Sequence, residues 1–171
     1  MTLPEERRKF IANIANDEWA YDLPKHETDA LNDKEFATQE PIWKKIRDDY
    51  LATSDSAEEL HEFVKQHHWG EADDFLILIE NPVCDRNTAR LIFWLAGPEF
   101  FRRNFATRED ASGEDQKKWM DLIHRTAENM VNGVFKSEAM PDDYKENITP
   151  KNEYWEVEPH WDINPLMYGE E

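Results

Sequence analysis

Residues 81–97 read Asn-Pro-Val-Cys-Asp-Arg-Asn-Thr-Ala-Arg-Leu-Ile-Phe-Trp-Leu-Ala-Gly, and this stretch decides the fold class. Asn81-Pro82 cannot continue a helix, because proline has no N–H to donate and pushes its predecessor out of the α region. Asp85 then supplies an N-cap, with Thr88 at the third helical position able to assist. From Ala89 to Ala96 the only charged residue is Arg90, which predicts a helix apolar nearly all round and buried at the centre of a domain. Gly97 offers a left-handed stop, and Pro98 blocks continuation.

The same punctuation extends in both directions. Upstream, Thr2 is expected to cap a helix with Glu5 and Glu6 in its first turn and Phe10, Ile11, Ile14 and Ala15 as its apolar stripe. A loop over 16–25 should tuck Trp19, Tyr21 and Leu23 onto the core, with Pro24 in a turn and a short helical turn over 28–36. Pro41 suits the first position of a second long helix. Ile42, Trp43, Ile46, Tyr50 and Leu51 share one face of it, and Lys44, Lys45, Arg47, Asp48 and Asp49 the other. Ser56-Ala57-Glu58-Glu59 is a capping box, followed by Leu60, Phe63, Val64 and His67 on the inner face and Gly70 as the stop. The run Phe75 to Ile79 fits a buried strand or a helix. Asp73-Asp74 before it and Asn81-Pro82 behind it favour the helix.

Downstream, residues 98–105 form a short helix with Phe100, Phe101 and Phe105 apolar and Arg102 and Arg103 outward. Ser112 begins the last clear helix, Glu114 and Asp115 fill its first turn, and Gly133 closes it. Trp119, Leu122, Ile123, Thr126, Met130 and Val131 hold its apolar spacing. Residues 134–171 change character. Pro141, Pro150, Pro159 and Pro165, with the alternation Tyr154-Trp155-Glu156-Val157-Glu158, predict extended chain with one short hairpin packed on the helices through its aromatic residues. The expected architecture is mostly all-α. It is a solenoid-like stack of antiparallel or orthogonal helix pairs in one domain, with N-terminal helices over 1–52, a helical core over 53–135 and an acidic extended segment over 136–171.

A chain of 171 residues is long enough for one domain with a proper core. Its 7 tryptophans and 9 phenylalanines compensate for an apolar share of 39%. The single cysteine, Cys84, excludes an internal disulfide and fits a reducing compartment. No apolar segment follows the basic residues near the N-terminus, and no apolar run is long enough to span a bilayer. A cytoplasmic location is therefore expected. The formal charge is −18, distributed as −11 over residues 1–80, zero over 81–135 and −7 over 136–171. Nucleic acid and anionic membranes are poor partners for such a chain, and a basic protein is a good one.

Residues able to carry chemistry are few. His61, His67 and His68 invite a metal, but no His-x3-His pair exists, and a half-buried His67 is the simpler reading. Cys84 lies beside a helix N-terminus and could be activated with His124 or another histidine folded nearby, against the plainer role of a small buried residue in a turn. Paired carboxylates abound without marking an acid–base site. No cofactor, metal or catalytic residue is expected. As a set, the acids could form a recognition surface.

The arrangement Leu60…Trp69-Gly70, Ile77…Ile79-Glu80-Asn81-Pro82-x-Cys84-Asp85, Thr88-Ala89 and Ile92-Phe93-Trp94 resembles the bacterial domain of unknown function 4274 family. Asn132-Gly133-Val134-Phe135 resembles its downstream part, so the likeness covers mainly Ser56 to Phe135. It brings no catalytic residues. It implies a small bacterial accessory protein of the kind suspected of acting as an immunity or antitoxin partner. With the acidic flanks, the expectation is a non-catalytic binding protein that occludes a basic, cytosol-acting toxin. The candidate contacts are Asp48, Asp49, Glu58, Glu62, Asp73, Asp74, Glu153, Trp155, Glu156 and Trp161. The alternative is a homo-oligomeric structural or regulatory adaptor.

Overall fold

The computed structural model describes residues 3–16, 36–67, 71–148 and 157–170, with backbone alone for 36–40 and 42. Among these residues the regular structure is entirely helical, as expected, and no helix is long and apolar enough to cross a membrane. The chain divides into two compact units, Met1–Asn81 and Pro82–Glu171.

The first unit contains α1 (Glu5–Ala15), α2 (Phe36–Thr53), α3 (Ala57–Gln66) and α4 (Ala72–Glu80). Its core is Ile11, Ile14, Leu51, Leu60, Phe63, Val64, Phe75, Leu78 and Ile79. The principal packing is between alternate helices, α1 on α3 and α2 on α4. Side-chain ties give the sense of each pair. Arg7 on α1 reaches Glu59 near the start of α3 at 2.7 Å, and His67 just past α3 reaches the Ala15 carbonyl at 2.6 Å, so α1 and α3 run parallel. Arg47 meets Asp74 at 3.2 Å, and the Asn81 amide donates to the carbonyls of Leu51 and Ser54 at 2.8 and 3.0 Å, so α2 and α4 are parallel too. Parallel packing of alternate helices is how a solenoid stacks its repeats.

Four local expectations are corrected in this unit. Pro4, not a threonine, holds the cap position of α1, with no side-chain bond. Phe10 stays 40% exposed, leaning edge-on against Tyr50. Helix α2 starts at Phe36, which places Pro41 inside it; the cost is the one backbone bond that a residue-41 N–H would have made. Helix α3 ends at Gln66 with His67 as its cap, ahead of Gly70. Ser56 does cap α3, accepting the Glu59 N–H at 3.3 Å, but the Glu59 carboxylate turns to Arg7 and the Tyr50 hydroxyl. The readings placed on Thr2, Trp19, Tyr21, Leu23, Pro24, residues 28–35, His68, Gly70 and most of the 154–158 hairpin fall outside the described residues.

The second unit is built on α5 (Arg86–Leu95), whose residues Asn87 to Trp94 are all buried. Asp85 caps it, taking the Asn87 N–H at 2.9 Å on one carboxylate oxygen. Gly97, at φ +70, ends it and opens α6 (Pro98–Asn104), where Pro98 stands at the first position. A 3-10 turn over Arg108–Asp110 leads to α7 (Glu114–Val131), capped by the backbone of Gly113 because Ser112 instead holds the Gln116 side chain. Met120 and Asn129 join the buried face of α7, and Val131 lies outside it, 56% exposed.

The C-terminal stretch fastens onto α5. The Arg86 N–H donates to the Ser137 carbonyl, the second Asp85 oxygen accepts the Ala139 N–H at 2.7 Å, and the Asn87 amide donates to the Met140 carbonyl. Two 3-10 turns, Asp143–Asn147 and Pro165–Tyr168, then bury Tyr144 and Met167. Arg90 Nε donates to the Leu166 carbonyl and Trp94 Nε1 to the Met167 carbonyl, both at 2.9 Å. Every polar side chain that a buried helix carries must find such a partner, and here the tail supplies it.

Candidate functional site

Burial sorts the charges of the second unit. The segment 81–135 is neutral in sequence, with 8 acids and 8 bases, but of those bases only Arg125 is exposed. Arg90 lies beneath Tyr144 and donates to Asn87, Glu138 and the Leu166 carbonyl. Arg102 makes a fork on Glu99, at 2.9 and 2.8 Å, and Arg103 adds a third contact to the same carboxylate. The two arginines expected to point outward therefore lie against Glu99, which precedes them by one helical turn. A long apolar stem and a planar fork make arginine the cation most easily buried.

Apart from the buried Asp85 and Glu99, most of the carboxylates stay in water. Glu109, Asp110, Glu114, Asp115 and Glu128 are exposed, as are Glu138, Asp142, Glu146, Glu158, Asp162 and Glu170 in the tail. Thr107 hydrogen bonds hold the Asp110 carboxyl below the ordinary range. The Lys117 and Lys145 ammonium groups do the same for Glu114 and Asp142. All three carry their charge at neutral pH. Among the described residues of this unit the exposed acids outnumber the exposed bases Arg125, Lys136 and Lys145.

In the first unit the candidate contacts separate. Asp48 pairs with Lys44 at 3.4 Å and Asp49 with Lys45 at 2.6 Å, both one turn apart on α2. Glu58, Glu62 and Asp73 are half-buried, and Glu62 accepts from Gln66. Asp74 is fully buried and offers nothing to a partner. Its carboxylate takes His67 Nε2 at 2.9 Å and lies by Arg47 and Lys44. Burial alone would raise the Asp74 carboxyl, but the His67 hydrogen bond and the Arg47, His67 and Lys44 charges outweigh it and hold the group below the carboxylate range. In the second unit Trp161 is half-buried, its ring tilted against His124 and its Nε1 donating to the Phe105 carbonyl. Glu153, Trp155 and Glu156 lie outside the described residues.

A groove escaped the sequence reading. Ala52 of α2 and Leu76, Ile77 and Glu80 of α4, with Asn81, line an open, mainly apolar cleft of about 380 Å³. The signal was present: α4 carries five successive apolar residues, Phe75 to Ile79, more than one face of a nine-residue helix can bury. Phe75, Leu78 and Ile79 point into the core, leaving Leu76 and Ile77 half-exposed.

His67 and Cys84, two groups that could have carried chemistry, are committed elsewhere. Each ring nitrogen of His67 is occupied by an oxygen, Ala15 O at 2.6 Å and the Asp74 carboxylate at 2.9 Å, which leaves neither open to a metal ion. Among the described residues no three His, Cys, Asp or Glu side chains converge as metal ligands. Burial, aided by the Asp85 charge, pushes the Cys84 thiol far up, the reverse of an activated nucleophile. His124 is exposed, its ring tilted against Trp161 at 5.0 Å between centroids.

The described residues therefore make an all-helical protein of packed helix pairs with an acid-rich exterior. Residues 55–131 match the family model described as Domain of unknown function (DUF4274), over nearly the span on which the sequence resemblance rested. No curated protein and no solved structure matches the chain.

Proposed function

We propose that this chain is a non-catalytic binding protein of the immunity type, which neutralises a basic toxin domain acting in the bacterial cytoplasm by covering it. The observation that carries the proposal is the sorting of charge by burial: residues 81–135, neutral in composition, expose five of their eight acids and one of their eight bases. Such a surface steers a cationic partner into encounter, while a few apolar anchors supply the residence time. The committed state of His67, Asp74 and Cys84 suits a scaffold better than a catalyst. Trp161, Met167 and Tyr168 spend their apolar surface within the second unit, which leaves less for a homo-oligomeric adaptor to bury.

Co-expression tests the proposal. Each reading frame adjacent to this one is expressed in a heterologous bacterium, alone and with this chain. One of them should arrest growth and be relieved by this chain. Relief should fail with a variant carrying Glu109→Lys, Asp115→Lys, Glu128→Lys and Glu158→Lys together, at equal expression. If no arrest is relieved, or the lysine variant relieves it equally well, the proposal is wrong.

A further inference from the structure

We propose that the cleft between α2 and α4 is the anchor pocket for a basic amphipathic helix of the partner, an inference that rests on the binding-protein proposal and locates its apolar contact. The floor is Ala52, Leu76 and Ile77. Helical spacing places Asp73 one turn before Leu76 and Ile77 and Glu80 one turn after them, on the same stripe of α4. Across the cleft, Asp48 stands one turn before Ala52 on α2. An apolar floor is thus bracketed along its length by carboxylates.

The chemistry complementary to this arrangement is a helix with leucine-like side chains at i and i+3 or i+4 and lysine or arginine a turn to either side. No strand edge occurs among the described residues, so the cleft offers an added strand nothing to pair with. Two parallel helices do offer a groove for the ridge of a third. The volume of about 380 Å³ lies within the range of roughly 300–1,000 Å³ typical of ligand clefts. Both ends of the cleft are fixed. The Asn81 amide ties the C-terminal ends of α2 and α4 through Leu51 and Ser54, and the buried Asp74 ties the start of α4 to the middle of α2 through Arg47 and Lys44. A pocket held open in this way loses little entropy on filling.

The probe is a fluorescein-labelled Leu–Lys amphipathic peptide about four turns long, compared by anisotropy with a Gln–Lys peptide of equal charge. The Leu–Lys peptide should bind at least about tenfold more tightly, and Ala52→Trp, which fills the cleft from an exposed position, should weaken it by at least about tenfold. Methyl NMR on the unaltered protein should show the Ile77 and Leu76 signals shifting as the complex forms. Equal binding of both peptides, unchanged affinity in a folded Ala52→Trp variant, or stationary Ile77 and Leu76 methyls in a formed complex each overturns the pocket. If the complex forms with those methyls unmoved and is abolished by the second-unit lysine variant, the pocket falls while the acidic-surface proposal survives. If co-expression relieves no arrest, that proposal falls whatever the peptide does.

Discussion

Replacing Asp85 with alanine removes two bonds at once. One carboxylate oxygen caps α5 through the Asn87 N–H, and the other holds the Ala139 N–H of the tail. Loss of an N-cap costs about 1 kcal/mol. Leaving the partly buried Ala139 donor without a partner adds about 1–3 kcal/mol. The expected loss is about 2–4 kcal/mol, which for a chain of this size corresponds to a fall in Tm of roughly 5–15 °C. Ser56→Ala is the internal control, since Ser56 caps α3 with a single half-buried bond and should cost about 1 kcal/mol. Urea unfolding followed by circular dichroism gives both values, and amide exchange at Ala139 reports the tail separately. If Asp85→Ala is no more damaging than Ser56→Ala, or if Ala139 keeps its protection, the carboxylate is a simple cap and the tail is held by other means.

Asp74 is depressed in the folded state, so its contribution is complete above the ordinary aspartate pKa of about 4 and is lost as pH falls through the folded value. The urea midpoint of the wild type should drop on acidification below about pH 4, and Asp74→Asn, already destabilised at pH 7, should show a shallower acid limb. Cys84 should react with iodoacetamide at least about a hundredfold more slowly in the native protein than in urea, because its thiolate must await an opening; comparable rates would show the thiol to be accessible. Gly169, at φ +78, lies so close to the Tyr144 hydroxyl that an added Cβ would overlap it. Gly169→Ala should cost about 2–4 kcal/mol. Gly133→Ala, left-handed but facing open space, should cost only about 1 kcal/mol in the same urea titration.

Helix boundaries were legible where a cap or breaker residue acts locally. Ser56, Asp85, Gly97 and Gly133 each perform at short range the role their chemistry suggests. Partner choice was not legible. Periodicity shows which face of α1 is apolar, but nothing local says that this face meets α3. Asp74 looked like one more surface acid because His67 and Arg47, which draw it inward, sit at distant positions and converge only in the fold. Arg102 and Arg103 looked outward because they are charged; the overlooked signal was Glu99, at the helical spacing that satisfies both. For the same reason the neutral count over 81–135 hid an acidic exterior, since a sum over sequence weighs inner and outer charges alike.

The fastening of α5 to the chain end has a consequence for how this protein comes into being. Arg90 and Trp94 find their carbonyl partners 76 and 73 positions later. In the first unit the ties of Arg7 to Glu59 and of His67 to Ala15 close over 52 residues, and that of Asn81 to Leu51 over 30. During synthesis the first unit can assemble once residue 81 has cleared the ribosome. The second packs α5 against α7 and residues 137–147 first and completes its cover only with residues 166 and 167, and long-range closure of this kind is slow. Until residues 166 and 167 are in place, the buried Arg90 Nε and Trp94 Nε1 lack the carbonyls that satisfy them in the folded unit.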